Sequence, residues 1–209
     1  MRAQRTSSPE PNRVVPLEAG ASPDNPPCPA CGEPLFGWLD ARSGPGAPVR
    51  RCESCGLGVV GEAGGVADAL AALDRLAADG ELRIANRGGL SASLGGAGWV
   101  GLGPGARYLF TAEAVRRLVA NRDQVVSRAR WAPAAGIAAM WQTLLNSATF
   151  GHDLVVGAPA RAGRPWQRRI DWLTTIVLAI PAFVLATVIE PAGAALRRGS
   201  VLSLKLELL

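Results

Sequence analysis

Four cysteines, Cys28, Cys31, Cys52 and Cys55, constrain this chain more than any other feature. They are its only cysteines and form two CxxC pairs, Cys28-Pro-Ala-Cys31 and Cys52-Glu-Ser-Cys55, with 20 residues between Cys31 and Cys52. Each pair aims two sulfurs from one tight turn at a common point, and two such turns close a tetrahedron around Zn2+. Gly32 and Gly56 follow the second cysteine of each pair, where the chain must bend sharply and leave backbone N–H groups facing the sulfurs. Disulfides or free thiols are the alternative. A disulfide within CxxC strains a small ring, and no secretory signal peptide is recognisable at the N-terminus, so reduced thiols in a cytoplasmic setting are expected. Four thiolates leave no coordination position for a reacting water. The metal is therefore expected to be structural, and its binding energy to fold a module with little core of its own.

The 209 residues allow one medium domain beside that module. The formal charge is +5, but Lys205 is the only lysine, and the arginines are scattered through a chain rich in Ala and Gly. That pattern reads as the coding bias of a high-GC bacterial genome. Single-stranded nucleic-acid surfaces pair a basic groove with exposed aromatics, and with aromatics at only 5% of this chain a nucleic-acid partner is not expected.

Residues 1–27 are rich in Pro, Ser and charge without apolar periodicity, and are expected to be a disordered leader. Residues 28–60 are the zinc ribbon, with short strands at Leu35–Leu39 and Val49–Arg51 separated by the turn-forming Ser43-Gly-Pro-Gly46. Gly56-Leu-Gly-Val-Val-Gly61 matches the dinucleotide fingerprint literally, but it leaves a metal knuckle rather than joining a strand to a phosphate-binding helix. Val66–Ala78 has helical spacing with Gly80 as a C-cap, Leu82–Ala85 reads as a strand, and Gly88–Gly105 as a long glycine-rich loop containing Trp99. Phe110-Thr-Ala-Glu-Ala-Val115 signs a helix start capped by Thr111, and Gln124–Trp131 is the next strand.

The ribbon, Glu81-Leu-Arg-Ile-Ala-Asn86, Ser91-Ala-Ser-Leu94, Trp99 and Arg107–Leu118 together resemble class I S-adenosylmethionine-dependent methyltransferases with an N-terminal zinc-binding domain. The resemblance implies an α/β fold in which residues 66–131 form a truncated Rossmann-like unit, 134–198 an inserted apolar helical segment and 200–209 the closing strand. In that family the cofactor lies on an early strand ending in an acidic residue and a glycine-rich turn. Residues 56–80 are too short for the missing strand–helix units, each of which needs ~30 residues. Leu109 also stands where the family often has a histidine near the Tyr108–Thr111 segment. S-adenosylmethionine is therefore not expected to bind without a partner, no catalytic residue is assigned, and cofactor-binding residues remain unassigned. The expected protein is non-catalytic or partner-dependent, the partner being a methyltransferase or glycosyltransferase. The alternatives are a methyltransferase subunit acting on a small molecule or sugar, and a zinc-ribbon nucleic-acid-binding or single-pass membrane protein.

The C-terminal third is apolar. Ile137, Met140, Trp141, Leu144, Leu145 and Ala148 share one helical face, opposite Gln142, Thr143, Asn146 and Ser147, with no charge between Ala132 and Phe150. Such a helix is either buried against the sheet or lies at a membrane interface. His152, the only histidine, reads as a surface or capping residue. Trp172–Ile189 is an uncharged run of 18 residues, the minimum for a span, with arginine pairs on both sides and Pro181 in its middle. Leu202, Leu204, Leu206 and Leu208 alternate with polar residues as a strand. If that strand joins Leu82–Ala85 in one sheet, both ends of the apolar run lie on one side of the bilayer. The expected arrangement is then a monotopic hairpin bent at Pro181, on the cytoplasmic side of the inner membrane, with a single-pass protein as the alternative.

Overall fold

The computed structural model describes residues 25–40, 47–78, 81–103, 105–150 and 165–208. The leader, the Ser43–Gly46 turn, the Gly80 cap and His152 fall wholly or mainly outside them.

Within the described residues the chain is a mixed α/β structure. Strands β1 (Leu35–Leu39), β2 (Val49–Cys52) and β3 (Gly58–Val60) form an antiparallel meander. Helix α1 (Val66–Asp74) follows, then strands β4 (Ala77–Ala78) and β5 (Glu81–Ala85). Helix α2 (Leu90–Gly95) and two 3-10 turns, Gly96–Gly98 and Val100–Leu102, lead to β6 (Tyr108–Leu109) and α3 (Ala112–Ala120). Strand β7 (Gln124–Trp131), helices α4 (Pro133–Ala148) and α5 (Pro165–Ala195), and β8 (Val201–Leu208) complete it.

The helix expected over 66–78 stops at Asp74, because Ala77 and Ala78 turn back to pair with Leu82 and Glu81. Leu76 is consequently exposed. The segment read as a glycine-rich loop is ordered around Trp99. That indole is fully buried and donates from Nε1 to Ser91 Oγ at 3.2 Å, drawing α2 and the 3-10 turns onto one centre.

The strands make two four-stranded sheets, ordered β1-β2-β3-β6 and β4-β5-β8-β7, and every pairing is antiparallel. A Rossmann-like sheet is built from parallel strands joined by helical crossovers. That expectation is therefore corrected for the described strands. Here β5 pairs with the distant C-terminal strand β8, Leu82 opposite Leu204, and the helices fill long connections within an antiparallel sheet. The closing strand itself is where the alternation of leucines places it.

The ribbon shares a sheet and a core with residues beyond it. Its sheet takes a fourth strand from β6, with Val59 opposite Tyr108. One continuous core joins Leu35, Leu57 and Val59 of the ribbon to Leu73, Ile84, Val115, Leu118 and Leu204. The expected boundary after residue 60 crosses that core. Burial of apolar surface is what couples the two halves, at ~25 cal/mol per Å2.

Helices α4 and α5 run antiparallel from the edge of the second sheet. Trp131 pairs with Leu202, so the start of α4 and the end of α5 meet at one place. The helix contacts are matched along their length: Trp141 Nε1 donates to the Ala179 carbonyl at 2.9 Å, and its ring lies edge-on to Phe183 with centroids 5.9 Å apart. At the sheet end, a side chain on Gly136 would place its Cβ 2.6 Å from Glu190 Oε1, so only glycine permits this approach. Pro181 does not divide α5. The helix continues through Pro181 and Pro191 for 31 residues, about 46 Å at 1.5 Å per residue. The hairpin bent at Pro181 is thus replaced by a hairpin between α4 and α5.

Helix α5 is turned against its own hydrophobicity: its buried side is Asp171, Thr175, Ala182, Ala186, Glu190 and Gly193. Helix α4 buries Gln142, Thr143 and Asn146 together with Met140 and Leu145. The polar face of α4 docks on the 3-10 turns, where Asn146 Nδ2 donates to the Gly98 carbonyl at 3.0 Å and Val100 N to Thr143 Oγ1 at 3.3 Å. The outward side of α5 carries Trp172, Leu173, Ile176, Val177, Ile180, Val184 and Val188, all exposed. By length and composition this one helix could span or lie against a membrane.

Candidate metal centre

All four predicted ligands come together. The Sγ atoms of Cys28, Cys31, Cys52 and Cys55 lie within 4.8 Å of one another, with Cys28–Cys55 at 3.6 Å and Cys31–Cys52 at 3.4 Å. Tetrahedral Zn–S bonds of about 2.3 Å separate sulfurs by about 3.8 Å, so four thiolates here could bind a metal ion such as zinc. None is in a disulfide. Cys28, Cys52 and Cys55 are buried and Cys31 is partly covered.

Local backbone chemistry explains the convergence. In the first knuckle the Cys31 and Gly32 amides donate to the Cys28 carbonyl, and in the second Gly56 N donates to the Cys52 carbonyl at 3.0 Å. Gly32 and Gly56 sit at φ +79° and +75°, the left-handed region a side chain resists. The turn aims further amides at the sulfurs: those of Ala30, Glu33 and Leu57 each favour the thiolate of Cys28, Cys31 and Cys55 respectively.

Without metal, the four thiols share protons unequally. The Cys28 hydrogen bond holds Cys55 down to about 5. The same hydrogen bond, followed by burial, pushes Cys28 far up. Burial is the first cause raising Cys31 to about 11, with Cys52 adding to it. A metal ion replaces those protons, because it binds thiolate rather than thiol.

Helix α3 ties the centre to the rest of the fold. Thr111 caps it by accepting from Ala114 N at 3.1 Å, as the sequence predicts, and its hydroxyl donates to the Cys55 carbonyl at 2.6 Å. Arg117 Nη1 donates to Ser54 Oγ at 3.1 Å, inside the second knuckle. Its guanidinium is held in the charged form by Glu113 first, with Cys31 and Cys55 contributing. A dianionic metal–tetrathiolate would thus face a cation. Arg117 and Thr111 were legible as a surface charge and a cap, while their contact with the centre depends on the packing of α3 across 56 to 63 residues of separation.

No family model, curated protein or solved structure matches this chain.

Proposed function

We propose that this chain is a zinc-stapled, non-catalytic platform seated on one face of a membrane by α5. The observation that carries this reading is the inversion of α5. Asp171, Thr175 and Glu190 are buried, whereas the 18-residue uncharged run presents its large apolar side chains outward. Water disfavours that arrangement, while a lipid phase favours it. A span by α4 is disfavoured because its polar face is occupied by the body at Gly98 and Val100. Helix α5 then lies in the interface plane, with its two ends on the side from which the body approaches.

Zinc is the metal the four-thiolate set favours, in a structural role. The partner the sequence resemblance implies is a methyltransferase or glycosyltransferase, which the platform would support.

Flotation of the full chain with neutral phosphatidylcholine vesicles tests the seat, and single cysteines at Arg168 and Arg197, probed with an impermeant maleimide, test its topology. Flotation with both positions labelled from one side is expected. Labelling from opposite sides defeats the one-sided arrangement in favour of a span. Equilibrium binding of S-adenosylmethionine by the isolated chain would overturn the non-catalytic part.

A further inference from the structure

Three arginines from distant parts of the sequence line one cleft of about 380 Å3: Arg51 of β2, Arg87 after β5, and Arg198 after α5. Trp38, Gly88 and Ser93 complete the part of its wall that matters here, and no acidic residue lines it. Arg87 is the unusual member. Its guanidinium carbon lies 4.5 Å over the Trp38 ring, while its Nε is buried without a hydrogen-bond partner. Burial first, and the charge of Arg51 second, work against its ionised form. A half-buried guanidinium beside a second cation, with a donor left unsatisfied, is costly unless an anion completes it.

The cleft is also built firmly. Asn86 Nδ2 donates to the Gly199 carbonyl at 2.8 Å, Asn86 N to the Ser200 carbonyl at 2.7 Å, and Gly88 N to Asn86 Oδ1 at 3.1 Å. These bonds lock the Arg87 loop to the segment carrying Arg198. Arg198 in turn donates from Nη2 to Ser93 Oγ at 2.8 Å and from Nε toward the Gly88 carbonyl at 3.5 Å, which holds it along the cleft wall. Arg51 has one loose acidic neighbour, Glu53 at 3.7 Å, with both side chains largely exposed. Such a pair contributes little and leaves the guanidinium able to turn inward.

We propose that this cleft binds the phosphate group of a phosphomonoester. Guanidinium forks match phosphate oxygens in pairs. The volume of about 380 Å3 holds a phosphate with a glycerol-sized substituent. Arg198 lies three residues beyond the end of α5, beside exposed Leu196. A lipid headgroup is therefore one source of the phosphate, and that part rests on the membrane reading; a soluble phosphomonoester is the other.

The full metal-loaded chain in detergent solution is titrated calorimetrically with glycerol 3-phosphate, short-chain phosphatidic acid and short-chain phosphatidylcholine. The first two are expected to bind, phosphatidylcholine is not, and Arg87→Gln and Arg198→Gln each weaken binding about tenfold or more. Arg130→Gln, on β7, is the control that leaves binding unchanged. Metal content and circular dichroism check folding, and exposed Arg198 supplies a variant that does not disturb the core. Tighter binding of phosphatidic acid identifies the lipid source, and equal affinities identify the soluble one; both support the site. Absence of binding by both phosphomonoesters, or binding indifferent to both substitutions, overturns it. Flotation with neutral vesicles is unaffected by either substitution, so failure of the wild type to float refutes the membrane seat while leaving the phosphate result standing.

Discussion

Ile180 is the most exposed of the large residues on α5, at 76%, and lies near the middle of the uncharged run. Ile180→Asp therefore removes no packing from the fold. Nine large apolar side chains of α5 are half or more exposed, and at ~1.5–3 kcal/mol for full burial of each, transferring their free surface to lipid contributes on the order of 10 kcal/mol. An aspartate replacing an isoleucine at the middle of a lipid-facing helix costs about 3 kcal/mol in apolar surroundings. That corresponds to roughly a hundredfold fall in partition. The assay is co-flotation with phosphatidylcholine vesicles across a range of lipid concentration, with urea denaturation in parallel. The expected result is a hundredfold shift in the lipid needed for half-binding, with folding stability unchanged to within ~0.5 kcal/mol, as for a surface substitution. Unchanged flotation would refute the outward face as the membrane contact. A loss of stability of several kcal/mol would show that this face is covered by protein.

Three further outcomes follow from the metal centre and the hairpin base. Cys52→Ser should abolish metal binding and unfold the whole body, because ~10–16 kcal/mol of metal binding exceeds the ~5–15 kcal/mol stability of a domain sharing one core with the ribbon; hydrogen exchange that leaves α3 and β5 protected would disprove the shared core. Metal affinity should rise with pH through the neutral range. Cys28 and Cys31 both have raised values in the metal-free form, so they carry protons there and must release them: at least about two protons per metal, or ~100-fold or more per pH unit, counted by calorimetry in buffers of different ionisation enthalpy. Glu190→Gln should destabilise by ~1–3 kcal/mol in denaturant, because the buried carboxylate accepts from Trp131 Nε1, Ser200 N and Ser200 Oγ, and an amide must turn a donor toward one of them.

The cysteine spacing alone was enough to pick out the four thiols that cluster, because two CxxC turns are local structures whose geometry is set within five or six residues. The same holds for the Thr111 cap, the strands at β1, β2, β5, β7 and β8, and the apolar helices, each of which follows from a period of 2 or 3.6 or from a turn residue. Sheet direction and domain boundary were not legible in this way. A strand carries the same alternation whether its neighbour is parallel or antiparallel, and the partner of β5 lies more than a hundred residues away in β8.

The amphipathic pattern of α4 showed that the helix had two faces but not which one the body would cover. Pairing of Trp131 with Leu202 brings both helices to one sheet edge, and Gly98 and Val100 then offer hydrogen-bond partners that only Asn146 and Thr143 can meet. Polar groups on α4 are thereby satisfied inside, and α5 is left with its apolar side outward. The sequence by itself determined the four clustered cysteines, strands β1, β2, β5, β7 and β8, helices α3 and α4, and the uncharged run. Only the tertiary structure decided which face is buried, because that choice depends on hydrogen-bond partners supplied by residues far away in the chain.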